Sequence, residues 1–257
     1  MSEKSKTTTK VPKKPGSAEI EEDLSCPACH KEPALCLCAI VKALPSHLHV
    51  LFLQHPQEPD VTLGTARLAH SILKNSTLKV GLSWPNLVKA LGRPAENSKW
   101  GVLYLGGRDQ EKRPAGYRPP WLAIKAKGEK EFSAVEPGDR GNLEGIVVLD
   151  GTWSQAKTLW WRNAWLLKLN RIVITPRHKS MYGDLRKEPR RECLSTIESV
   201  AEALEALGEK AEVTTGLTSY FSELLKRFRA VSQAARDAEK SKRSSKHSKP
   251  PAPAPAE

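Results

Sequence analysis

Four cysteines, Cys26, Cys29, Cys36 and Cys38, fall close together as a C-x-x-C pair followed by a C-x-C pair. Four thiolates so near in sequence can close a tetrahedral all-sulfur site, and a structural zinc is the expected occupant. The same ligands suit an iron–sulfur cluster. Cys26-Pro-Ala-Cys29-His30 also matches the C-x-x-C-H haem attachment pattern. Haem attachment requires export and would leave the second pair unexplained. Metal-free thiols are the remaining alternative. Cys193 stands alone and reads as a packed small residue. A second pattern is Ile146-Val-Val-Leu-Asp150-Gly151-Thr152-Trp153, an apolar run ending in an acid, a glycine and a helix start. The carboxyl ends of parallel strands are where α/β folds place their sites. Asp150 or Thr152 can equally serve as the N-cap of the next helix.

These residues need elements to position them. Apolar runs at 48–54, 101–105, 146–150 and 171–175 are continuous rather than alternating, as in strands buried on both faces of a parallel sheet. Helical spacing is seen over 61–74, with His70 on a helix face as a structural residue, and over 153–168. Ser195-Thr196-Ile197-Glu198 forms a capping box, its apolar stripe ends at Gly208, and a last helix is expected over 217–235. Strands alternating with helices predict an α/β fold, a mostly parallel sheet flanked by helices. Residues 1–23 read as a disordered arm, 24–40 as a four-cysteine zinc knuckle and 41–236 as one globular domain. Residues 237–257 read as a disordered basic, Pro/Ala-rich tail. The stretch 106–145 is a long Gly/Pro-rich excursion.

The 257 residues carry 41 Lys+Arg against 29 Asp+Glu, a net charge of +12. That excess points to an anionic partner such as nucleic acid. Part of it lies inside the patterned region, at Arg177, His178, Lys179, Arg186, Lys187, Arg190 and Arg191 around Tyr182. No run of about 18 apolar residues predicts a membrane span, and the opening residues lack a secretory apolar segment. A cytoplasmic protein without a membrane partner is expected.

The LDGTW run resembles the D-x-T-W signature of the DTW-domain family of tRNA-uridine aminocarboxypropyltransferases. Other segments are similar in consistent order. The cysteine cluster looks like the family's N-terminal motif. Gln54-His55-Pro56-Gln57-Glu58 with Gly64-Thr65-Ala66-Arg67-Leu68 resembles its H-P-x-E and N-T-x-R-L segments. Tyr182-Gly183-Asp184-Leu185-Arg186 and Leu194-Ser195-Thr196-Ile197-Glu198 resemble its Y-x-L-R and L-S-T-x-E segments. Gly64 departs from the asparagine common there.

The resemblance implies a SPOUT-like fold with a deep trefoil knot that cradles S-adenosylmethionine. It implies transfer of the 3-amino-3-carboxypropyl group to N3 of a tRNA uridine, with methylthioadenosine as by-product. A SPOUT-like RNA methyltransferase and a non-catalytic zinc-knuckle RNA-binding protein are the alternatives. N3 must lose a proton, and Asp150 is the candidate base; His55 is a weaker site candidate. On the resemblance, strand-end loops bind S-adenosylmethionine through Leu105, Gly106, Leu149, Gly151, Thr152, Leu194, Ser195 and Thr196. Trp153 is a candidate for base stacking. Arg177, Lys179, Tyr182, Arg186, Arg190 and Arg191 are candidates for gripping RNA, and Arg186 alternatively for pairing with the carboxylate of S-adenosylmethionine. At least two of Trp160, Trp161 and Trp165 are expected in the core.

Overall fold

The computed structural model describes residues 25–58, 61–103, 121–176, 178–185 and 194–247. Leu105, Gly106, Arg177, Arg186, Arg190, Arg191 and Cys193, the arm 1–23 and the Pro/Ala end of the expected tail lie outside the described residues.

The apolar runs form strands. β1 (His49–Gln54), β3 (Trp100–Leu103), β6 (Gly145–Asp150) and β7 (Asn170–Thr175) are joined by β2 (Ser76–Val80), β4 (Trp121–Lys125) and β5 (Ser133–Ala134). Their order in the sheet is β2-β1-β6-β3-β7-β4-β5. The pairs from β2 through β7 are parallel, while β4 runs antiparallel to β7 and to β5. The parallel centre explains the continuous apolar runs, because both faces are covered. Val50 and Phe52 pack with Ile146 and Val148 on one face. Leu51, Leu53 and Val147 pack on the other.

The first face carries α1 (Ala66–Ile72), α4 (Thr196–Ala206) and α5 (Ala211–His247), and the second carries α2 (Leu87–Leu91) and α3 (Trp153–Arg162). The helical spacing expected over 153–168 breaks at Asn163. This fully buried amide donates to Leu82 O and Leu159 O and accepts from Trp84 N and Trp165 Nε1. A short 3-10 turn, Ala164–Lys168, follows. The last helix is longer than expected at both ends and overruns the tail boundary at 237, continuing to His247. Neither Pro nor Gly interrupts 217–247, and the extension starts from a helix already nucleated on the core. Leu35 and Leu37 of the cysteine segment lie in the same core as α4 and α5, so the knuckle is packed onto the domain.

Candidate functional site at the strand ends

Register brings the first two site residues together. In the β1–β6 ladder Gln54 stands opposite Asp150, so both side chains leave the carboxyl edge on the face covered by α4. Asp150 is buried. Its Oδ2 accepts from Gln54 Nε2 at 2.7 Å, and its Oδ1 accepts from Thr196 Oγ1 at 2.6 Å. Thr196 opens α4, so the carboxylate ties the ends of two strands to a helix N-terminus. Gln54 Oε1 is buried and finds no hydrogen-bond donor among the described residues. Swapping the amide would set oxygen against carboxylate, so Asp150 fixes this orientation. The sequence reading missed Gln54: an amide has no spacing signature, and pairing register supplies its partner.

The rest of the Asp150-Gly151-Thr152-Trp153 run divides its tasks. Gly151 sits at φ +152°, and a Cβ there would lie 2.8 Å from the Gln155 Cβ. Thr152 is the N-cap of α3, its Oγ1 accepting from Gln155 N while its own N–H donates to Gln155 Oε1. The two readings of the motif therefore separate, with Asp150 as the strand-end group and Thr152 as the cap. His55 continues the backbone ladder by donating its N–H to Asp150 O.

Ser195 caps α4 as expected. Its Oγ and its N–H both donate to Glu198 Oε2. Buried Glu198 also accepts from Ser180 Oγ and Met181 N, fastening the segment 178–185 to the helix. This arrangement corrects one expectation. Tyr182 is 1% exposed, its hydroxyl donates to Leu63 O at 2.6 Å, and its ring meets Phe221 edge-on. Tyr182 is a core residue and has no face for RNA. Lys179 and His178 remain exposed beside it. His70 takes its structural place, bonded to Ser76 Oγ.

On the opposite face of β6 a cleft of about 220 Å³ is lined by Leu103, Leu149, Trp153, Lys157, Trp160 and Trp161. Trp161 is 74% exposed and Trp153 40%. Trp160 is half-buried, with the Arg171 guanidinium 5.7 Å from its ring centroid. Two of the three candidates reach the core as expected: Trp160 packs half-buried against the cluster on this face, and Trp165 lies buried within it. The place of Trp165 in the 3-10 turn, rather than in a continuous helix, changes which positions face inward.

The four cysteine Sγ atoms lie within 4.8 Å of one another. Cys26 and Cys38 are 3.8 Å apart, and Cys29 and Cys36 3.7 Å. A tetrahedron with Zn–S bonds of about 2.3 Å has S–S edges of about 3.8 Å, so the cage fits zinc. Backbone N–H groups of Cys29 and Ala28 pull the Cys26 thiol down to about 6, while burial pushes Cys29 up. The cage is tied down twice. Lys31 Nζ donates to Thr62 O at 2.7 Å and Gly64 O at 2.9 Å, and Arg227 Nη1 donates to Cys36 O at 2.6 Å. Burial holds the Lys31 ammonium below its ordinary range.

Comparison with known proteins adds lineage to this geometry. The sequence model of the family described as DTW domain matches residues 23–229. The tRNA-uridine aminocarboxypropyltransferase 2 of Macaca fascicularis is 29% identical over 191 residues, 71% of this chain and 56% of that protein. The protein of the same name from Mus musculus is 27% identical over 71% of this chain and 56% of its own length. The Drosophila melanogaster protein is 24% identical, covering 73% and 68%. The chain thus spans just over half the length of the two mammalian relatives. No solved structure matches it.

Proposed function

The chain belongs to the DTW domain family, and we propose that it transfers the 3-amino-3-carboxypropyl group of S-adenosylmethionine to N3 of a uridine in tRNA. The observation that carries this reading is the match over 23–229 together with the activity named for the relatives. In the reaction, uracil N3 forms a bond to the γ-carbon of the methionine chain. The γ-carbon–sulfur bond breaks, its electron pair stays on sulfur, and methylthioadenosine leaves. The N3 proton must go to a base.

Asp150 is the proposed acceptor of that proton, a role worth about 10²–10⁴-fold. Gln54 and Thr196 fix its carboxylate, and the buried Gln54 Oε1, which has no donor among the described residues, is proposed to accept from a substrate N–H. The backbone at Leu149, Gly151, Thr152, Leu194, Ser195 and Thr196, with Leu105 and Gly106, is proposed to hold S-adenosylmethionine. A SPOUT-like knot formed by these strand-end loops is part of the same reading, which the largely parallel sheet supports. Trp153 is proposed to stack on a ring in the neighbouring cleft. Lys179 joins Arg177, Arg186, Arg190 and Arg191 as proposed RNA contacts in a cytoplasmic enzyme, and zinc in the cysteine cage is structural.

The test is to incubate unmodified tRNA with the protein and S-adenosylmethionine, and identify nucleoside and by-product by mass spectrometry. Aminocarboxypropyl-uridine with methylthioadenosine is expected. A methylated nucleoside with S-adenosylhomocysteine would replace the chemistry. No product from folded, zinc-loaded protein across tRNA pools would leave a binding protein.

A further inference from the structure

The described side chains in the far half of α5 lie outside the core clusters. Phe228 and Val231 are the last side chains of this helix that pack against the core. Beyond them residues 233–241 are all exposed. At 1.5 Å per residue the 37-residue helix is about 55 Å long, so a substantial part of it stands clear of the body. It leaves beside the cysteine cage, where Arg227 holds Cys36 O.

The charge on this projection is ordered. Lys and Arg number five over 232–247 against two acids, with Arg229 at the root of the projection. Arg229, Arg236 and Lys240 are exposed and follow one another at steps of seven and four, which places them on one helical face. Like charges at this spacing weaken an isolated helix; of the two acids in this stretch, Glu239 lies three residues on from Arg236. Asp237 lies off the face and is engaged by Gln233 Nε2 at 3.0 Å.

We propose that the projecting half of α5 is an RNA-binding arm that lies along the phosphate backbone of the substrate tRNA. The substrate part of this inference rests on the reading above. The composition selects among anionic partners. After Val231 the apolar residues of the described arm are alanines, so there is no large apolar face to enter a bilayer. Nor is there an aromatic or aliphatic anchor of the kind that centres a protein interface. A line of cations without such anchors suits a regular polyanion, bound through counterion release.

The test compares the full chain with R229Q/R236Q/K240Q and with K89Q/K127Q/K130Q. The second variant removes the same charge from exposed positions elsewhere. Binding to unmodified tRNA transcripts is measured from 50 to 300 mM salt. Loss of three phosphate contacts should make the log–log salt slope shallower by about 2–3, with KM for tRNA raised roughly tenfold and kcat unchanged. The control should keep the wild-type slope. R229K/R236K/K240R should also keep it, which separates charge from any loss of helix seen by circular dichroism. An unchanged slope in the arm variant, or an equal loss in the control, overturns the proposal. So does binding of the arm to phosphatidylserine vesicles in preference to tRNA. If the wild-type chain binds tRNA through the arm but makes no aminocarboxypropyl-uridine, the reaction reading falls and the arm stands. Product with an unchanged slope is the reverse case.

Discussion

Asp150 is where a single residue decides most. Its two carboxylate oxygens already have donors in Gln54 and Thr196, which favours a second role, fixing the strand ends to α4. Asp150→Asn distinguishes the two. Loss of a base lowers kcat/KM by about 10²–10⁴ and abolishes its acidic limb with pH. Loss of a positioning group lowers activity while the limb stays where it was. The variant should still bind tRNA, which filter binding checks. The acid at the strand end was legible in the sequence, because an apolar run that stops at Asp-Gly marks the carboxyl end of a buried strand. Its partner was not. Gln54 and Asp150 are 96 positions apart, and their meeting depends on a ladder register that local spacing does not encode. Tyr182 shows the opposite failure. A tyrosine among arginines reads as an RNA contact, and its burial is set by Phe221 and Leu63 from remote segments.

At the scale of elements, the four central strands were legible because burial on both faces leaves a continuous apolar signature. β2 and β4 were missed. β2, SerThrLeuLysVal, lies at the sheet edge and is half-exposed, and β4 is embedded in a Gly/Pro-rich stretch. The edge at β2 carries a testable pH response. His49 bonds Asn75 Oδ1 and Thr77 Oγ1, and His70 bonds Ser76 Oγ. Burial holds both imidazoles below their ordinary range. The unfolded chain, with imidazole pKa values near about 6.5, therefore binds protons first. Stability from these groups is complete above that value and is lost as pH falls below it toward their folded values. Thermal midpoints measured from pH 7.5 to 5 should decline, and H49Q/H70Q should decline less steeply over the same interval.

For the whole molecule, the cysteine cage acts as a clamp rather than an appendage. It joins the loop before α1 through Lys31 and joins α5 through Arg227. Metal analysis should give one zinc per chain, and C36S should reduce it. Each 1 kcal/mol lost lowers the melting midpoint by about 2–4 °C for a domain of this size. Chelation should therefore produce a measurable fall, with faster amide exchange at 62–64 even where activity is not assayed. The cage was legible because its ligands are local. Its anchoring was not, because Cys36 and Arg227 are separated by 191 positions. That separation has a consequence for biosynthesis. At about 5–20 residues per second, the ribosome makes Arg227 roughly 10–40 s after Cys36. Until then Leu35 and Leu37 lack the part of their shared core that α5 supplies. A metal captured by the nascent segment would keep it folded through that wait, so zinc supply during translation would govern how much chain reaches the native state.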